Sequence, residues 1–234
     1  DSLASGGAQR QLATLVGALR RAGLDLTVAV YHPLYHFRPE VENSGAEIVQ
    51  LGGRGGRDPR VLLRLARHLG SKRYDLMHTW LRTPGVLGRV AASFAGGPPV
   101  IVSERNTDLG KARGEVLLER ALCGRASAMI ANADAIAEHV SRLVPAWGGR
   151  VRVVHNGVSP KEPSKDDLAR ARRFRENHAG DNEVLIGVVG RIQEQKAPLV
   201  LLDALKRLPD EVLERTRAIW VGKEIDADLA ASVR

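Results

Sequence analysis

Tyr74-Asp75-Leu76-Met77-His78, Pro99-Val100-Ile101-Val102-Ser103 and Ala126-Ser127-Ala128-Met129-Ile130-Ala131 are three short, mostly apolar runs bounded by turn residues. Between them lie two stretches with helical spacing of apolar residues, Pro84 to Phe94 and Gly114 to Cys123. Runs of that length read as strands and the intervening periodicity as helices. Parallel neighbours need a crossover connection, so strands alternating with helices imply a parallel sheet covered on both faces. This stretch sets the class as α/β.

The same alternation extends in both directions. Toward the N-terminus come a helix from Ala8 to Ala22, with Leu12, Leu15, Val16 and Leu19 on one face, strands at Leu26–Val30 and Ala46–Leu51, and a helix from Pro59 to Leu69. Toward the C-terminus follow a helix at Ala133–Leu143 and a strand at Val151–Val154. Residues 159–165 hold Pro160 and Pro163 among mixed charges and read as a linker. A polar helix (Asp166–His178), a strand (Val184–Val189), a helix (Pro198–Arg207), a strand (Ala218–Val221) and a helical pattern after Asp226 open a second domain. The expected division is a domain at 1–158, a linker at 159–165 and the start of another domain at 166–234. Asp1 to Gly7 has the composition of a loop that follows a strand, and Ser232-Val233-Arg234 stops inside a helical pattern. The expectation is therefore a first strand ahead of Asp1 and a second domain that is incomplete.

The net charge of +8 suggests an anionic partner. Aromatic residues make up only 4% and do not interleave with the basic ones, so single-stranded nucleic acid is a poor fit. No run approaches the roughly 20 apolar residues of a membrane span, and no basic and apolar leader opens the sequence. Cys123 is the only cysteine, which excludes an internal disulfide or a cysteine zinc site and leaves a buried thiol. A reducing, cytoplasmic setting is expected.

Polar clusters recur where strands meet loops. Gly6 and Gly7 precede the first helix, where free N–H groups and the dipole favour an anion, although a plain tight turn has the same composition. His78 ends the strand reading and has Thr79 and Trp80 beside it, placing it at the carboxyl edge where open α/β sheets bind ligands. A structural histidine is the alternative. Ser103-Glu104-Arg105-Asn106 sits at the corresponding place after the next strand, and Asn156-Gly157 closes the first domain in a sharp turn. Arg191, after Gly190, and Lys196, just before a helix, suit a diphosphate clamp or an exposed basic loop. The helix at 60–73 carries Arg60, Arg64, Arg67, His68, Lys72 and Arg73 around an apolar face; it reads as a sheet-packed helix or as a contact for an anionic membrane. His32, Tyr35 and His36 lack further ligands at a metal-binding spacing and read as a loop.

The order of these motifs resembles the retaining GT-B-fold glycosyltransferases, above all those building bacterial lipopolysaccharide, capsule and other cell-surface polysaccharides. The resemblance covers essentially the whole chain. It implies two Rossmann-like doubly wound domains, a nucleotide-sugar donor, and a saccharide or lipid-linked acceptor. It further implies retention of configuration, no metal, and no cofactor beyond the donor as co-substrate. Residue by residue, it places Gly6, Gly7, Arg191 and Lys196 on the donor. His78, Glu104, Arg105 and Asn106 fall on the acceptor side, and Asn132, Asn156 and Gly157 near an interdomain surface. Three departures stand out: Lys196-Ala197 replaces Lys-Gly, Gly222-Lys223-Glu224 replaces a Gly-x-Gly turn, and the Glu-x7-Glu motif is absent. The last implies that this stretch alone lacks a finished active site. A GT-B-fold sugar-nucleotide epimerase and a non-catalytic module binding nucleotide or membrane lipid remain as alternatives.

Overall fold

The computed structural model describes residues 1–106, 112–158, 160 and 162–233. They form two compact units, Asp1–Ser159 and Pro160–Arg234.

The first unit runs α1 (Gly7–Arg21), β1 (Thr27–Val30), α2 (Arg38–Asn43), β2 (Glu47–Gln50), α3 (Pro59–Ser71), β3 (Met77–Trp80) and α4 (Arg82–Ala95). It continues through β4 (Val100–Glu104), α5 (Arg113–Leu122), β5 (Ala128–Ala131), α6 (Asp134–Leu143) and β6 (Val151–Val153). Every ladder is parallel, as the alternating pattern requires. β1 pairs with β2, and β3-β4-β5-β6 form a second sheet; no ladder among the described residues joins β1 to β3. Leu3, Ala13, Val16, Val28, Val30, Phe37 and Val41 pack α1 and α2 against β1. The larger core combines Tyr31 and Leu51 with Val61, Leu65 and Leu69 of α3, Val100 and Val102 of β4, and Trp147.

One local expectation changes. The strand read at Tyr74–His78 lies at Met77–Trp80, because pairing begins where Met77 N donates to Pro99 O at 2.9 Å. Tyr74 is held back by a 2.7 Å hydrogen bond between its hydroxyl and His68 Nε2 on α3. His78 is thus inside the strand and Trp80 ends it. His32, Tyr35 and His36 lie in a loop as read, and Arg38–Asn43 after them is a short helix that the sequence reading did not assign, with Pro39 at its start and an Arg38–Glu42 pair at 2.7 Å.

Arg89 on α4 is 2% exposed and forks onto Glu119 of α5 at 2.9 and 2.7 Å, while its Nε donates to Gly85 O. The pair bolts α5, which buries no side chain of its own, to the sheet-packed α4.

The second unit runs α7 (Lys165–His178), β7 (Val184–Val189), α8 (Pro198–Leu205), α9 (Asp210–Leu213), β8 (Thr216–Val221) and α10 (Ala227–Val233). Ser164 caps α7 by accepting from Asp167 N, and Asp167 accepts in return from Ser164 N. β7 and β8 pair in parallel from Val184↔Thr216 to Val189↔Val221. Beyond the strands the pairing continues: Gly190 N donates to Val221 O and Ile192 N to Lys223 O, each at 2.9 Å. Gly222 lies so close to this turn that a Cβ there would sit 1.9 Å from Gly190 O. No side chain fits at 222, which explains why a glycine stands first in the Gly222-Lys223-Glu224 turn.

Candidate functional site

Parallel pairing sets which side chains meet at the carboxyl edge of the four-stranded sheet. The register His78↔Ile101 and Trp80↔Ser103 puts His78, Trp80 and Ser103 on one face, and Arg105 continues that alternation past the strand end. α4 covers the other face, approaching Thr79 and Val102 through Gly85 and Gly88. His78, Trp80, Ser103 and Arg105 therefore share the side that α4 leaves open.

On that side the contacts are continuous. His78 Nε2 and Ser103 Oγ are hydrogen-bonded at 2.7 Å, and Ser103 is 4% exposed. The Arg105 guanidinium stacks over the Trp80 ring with Cζ 4.2 Å from the centroid. Arg105 Nη2 then donates to Asn156 Oδ1 at 2.5 Å, so the arginine spans from β3 to the loop after β6. Burial, aided by the Arg105 charge, pushes the His78 pKa down to about 4, which leaves a neutral imidazole at neutral pH. Such a ring both donates and accepts, and suits a hydroxyl.

Leu81 follows directly with φ 74° and ψ 164°, a region that glycine normally occupies. Its N–H still reaches Ser103 O at 3.2 Å, and its carbonyl receives the Gly85 N–H at the start of α4. The strained residue thus turns the chain sharply out of β3 immediately after Trp80.

The glycine turn before α1 reaches the same neighbourhood through one side chain. Gly6 is the extended N-cap of α1, with no side-chain cap and no acidic residue in the first turn. Space beside the Gly7 Cα is open. No side-chain hydrogen bond to these first N–H groups occurs among the described residues, and the Gln9 amide oxygen folds back to 2.4 Å from where a Gly6 Cβ would lie. One turn further, the Gln11 amide donates to Gly157 O at 2.9 Å and accepts from Gly157 N at 3.0 Å. Gly6, Gly7, His78, Arg105, Asn156 and Gly157 are all linked in this way. Asn132 follows β5 with its Oδ1 buried and without a hydrogen-bond partner among the described residues, and His155 Nε2 lies 3.8 Å from Asp134 Oδ2. Glu104 ends β4, on the opposite face of the strand from Ser103 and Arg105. Asn106 is the last described residue before the segment at 107–111, which lies outside the described residues.

In the second unit, Lys196 ends a 3-10 turn (Glu194–Lys196) ahead of α8 and folds back along Gly190, where a Cβ would lie 3.8 Å from Lys196 Cγ and Cδ. Arg191 and Lys196 are both exposed, and neither has an ion-pair partner among the described residues. Ala197, where the resemblance expects glycine, adopts φ 50° and ψ 49°. The turn keeps its left-handed shape despite the side chain.

Sequence reasoning had not assigned roles to Trp80, Ser103 and Gln11. The i, i+2 spacing of His78 with Trp80 and of Ser103 with Arg105 carried the signal for the first two. Gln11 gave none, since its partner is 146 residues away.

Residues 5–162 match the sequence profile of Glycosyltransferase Family 4. The D-inositol 3-phosphate glycosyltransferase of Xylanimonas cellulosilytica is 30% identical over 166 residues, which are 64% of this chain and 40% of that protein. The chain thus spans well under half the length of that relative. Among solved structures, Anabaena HepE in complex with UDP and glucose superposes with a TM-score of 0.76 at 20% identity, over 100% of this chain and 63% of that one. The lipopolysaccharide outer core galactosyltransferase WaaB in its apo form gives a TM-score of 0.57 at 13% identity, over 94% and 65%. These likenesses show an α/β fold with parallel sheets of the GT-B kind.

Proposed function

The chain belongs to Glycosyltransferase Family 4, and on that premise we propose that it transfers a sugar from a nucleotide-sugar donor to a hydroxyl acceptor with retention of configuration. The observation that carries this reading is the continuous link from the open start of α1 through Gln11 and Gly157 to Asn156, Arg105, Trp80 and His78. It gathers anion-binding N–H groups, a cation and a neutral imidazole at one sheet edge. The structural neighbour that holds UDP and glucose supports a nucleotide-sugar donor.

In this reading the bond between the anomeric carbon and the diphosphate oxygen breaks, the acceptor hydroxyl oxygen takes its place, and the nucleoside diphosphate leaves with the hydroxyl proton. Negative charge grows on the departing diphosphate. Arg191 and Lys196, two cations without an ion-pair partner among the described residues, offset it, and stabilisation of developing charge by fixed groups lowers the barrier. No metal or cofactor beyond the donor takes part. Gly6 and Gly7 offer backbone N–H groups to the donor. Neutral His78, with Glu104, Arg105 and Asn106, serves the acceptor side.

For the acceptor, we favour a saccharide or lipid-linked saccharide of cell-surface polysaccharide or lipopolysaccharide synthesis; the galactosyltransferase neighbour supports it. An inositol phosphate is the second reading, favoured by the activity named for the relative from Xylanimonas. The protein would work in the cytoplasm at the inner membrane face. Contact there would run through Arg67 of α3 and Arg73 just beyond its end, since Arg60, Arg64, His68 and Lys72 are engaged with Asp58, Leu51 O, Tyr74 and Glu47.

The test measures nucleoside diphosphate release from a panel of UDP-, GDP-, ADP- and dTDP-sugars, with and without saccharide acceptors. Acceptor-stimulated release from one donor is expected. Saturable nucleotide binding without release would favour a non-catalytic module, and conversion of one free sugar nucleotide into its epimer would favour an epimerase.

A further inference from the structure

Trp80 lies between two residues of the open sheet edge and has no part in the chemistry described so far. Its indole is tilted 48° to the His78 ring at 5.3 Å between centroids, and the Arg105 guanidinium covers its face with Cζ 4.2 Å from the centroid. The two ends of the Trp80–Arg105 contact are held differently. Trp80 closes β3, in register with Ser103, and Leu81 after it still donates to Ser103 O at 3.2 Å. Arg105 lies just past β4 (Val100–Glu104), beyond the pairing on either side.

A guanidinium on a long side chain has many rotamers, and one rooted past a strand end needs partners to stay in place. Among the described residues those partners are Asn156 Oδ1 and the Trp80 ring, both uncharged. Asn156 is itself an exposed loop residue, so the indole is the one partner rooted in the sheet. An aromatic face attracts a cation without neutralising it, which an ion pair would do. The charge that reaches the His78 imidazole is therefore undiminished. Ser103 and Trp80, the other side chains against that ring, carry none, and Arg105 is the one charge that acts on it after burial.

We propose that Trp80 is a positioning residue: its indole, fixed by the end of β3, sets where the Arg105 guanidinium stands relative to His78. It touches no reacting atom and acts through the arginine, so that cation and imidazole face one ligand together. The setting rests on the glycosyl-transfer reading; the contact itself does not. Proton–carbon NMR of the His78 ring across a pH titration of the intact protein tests it, with His78→Gln identifying the signal. Arg105→Gln removes a like charge and should raise the titration midpoint. Trp80→Leu should raise it too, because the released guanidinium swings away. Trp80→Phe keeps a ring face for the cation and should stay close to wild type. Thermal melts check that each variant folds.

The deciding comparison is Trp80→Leu combined with Arg105→Gln, which should titrate as Arg105→Gln alone. A further upward shift as large as that of Trp80→Leu by itself would mean that the indole only shields the ring from water, and would overturn the role. So would an unshifted midpoint in folded Trp80→Leu. A second reading needs no Trp80 variant: in wild type the Arg105 Nε proton, identified by its loss in Arg105→Gln, should be displaced by the ring current of the indole. An ordinary, averaged Arg105 signal would overturn the proposal by itself. None of these readings needs turnover. A protein that shows the coupling yet releases no nucleotide from any donor would count against the transfer reading and not against the role of Trp80.

Discussion

Gln11 and Gly157, 146 residues apart, are joined by a pair of hydrogen bonds in which the side-chain amide of one mimics a strand partner for the backbone of the other. This clamp ties helix α1 to the turn that closes the first unit. Removing it by Gln11→Ala costs two solvent-accessible hydrogen bonds, so global stability should fall by only about 1–2 kcal/mol. Local opening should rise more visibly. Limited proteolysis near residue 157 is expected to quicken, and Gln11→Glu should not rescue it, because a carboxylate cannot donate to Gly157 O. Unchanged cleavage in both variants would show that the turn is held by other contacts.

His78 makes stability depend on pH. Its folded pKa, about 4, lies below the ordinary 6.5 because burial and then Arg105 disfavour the charged ring. The unfolded chain therefore binds more protons between these values, and stability falls as pH drops from about 6.5 toward 4, by at most about 1.4 kcal/mol per pH unit. His78→Gln should flatten that stretch of the profile in urea unfolding. A profile of the same slope in the variant would move the effect to other groups.

Arg191 bears on the donor. Arg191→Ala should lower kcat/KM for the nucleotide sugar by about 2–3 kcal/mol in transition-state terms, and Arg191→Lys should recover part, since an ammonium lacks the bidentate fork. Acceptor affinity should barely change. Wild-type kinetics in a folded Arg191→Ala protein would remove this residue from the diphosphate site.

The Arg89–Glu119 pair is buried, so its two halves are unequal to their sum. Arg89→Ala strands a carboxylate and should cost about 3–5 kcal/mol in denaturant unfolding. Arg89→Met combined with Glu119→Leu should recover most of that. A mild single variant would show that water reaches Glu119.

In the second unit, Ala197 and Gly222 predict opposite signs. Ala197→Gly relieves a left-handed alanine and should stabilise by up to about 1 kcal/mol. Gly222→Ala drives a methyl into Gly190 O and should destabilise by about 3 kcal/mol. Thermal melts of the two variants, shifting the same way, would contradict the turn geometry.

Some of this was determined by local sequence. Periodicity alone separates strands from helices, since a buried strand and an amphipathic helix space their apolar residues differently; that is why the order of α1 through β8, apart from the short α2 and α9, is legible. Strand limits were less so. Met77–Trp80 replaced Tyr74–His78 because pairing to Pro99 and the Tyr74–His68 bond are long-range facts. The site was half legible: polar residues at strand ends announced His78, Arg105 and Asn156, and i, i+2 spacing put Trp80 on the His78 face without placing it beneath Arg105, whereas no local pattern announced Gln11 as the partner of Gly157. The left-handed turn at Ala197 and the close approach at Gly222 belong to the same class. Spacing along the chain controls which face a side chain occupies, but register between strands and contacts across more than a hundred residues control what it touches there. Those exist only once the parallel ladders have formed.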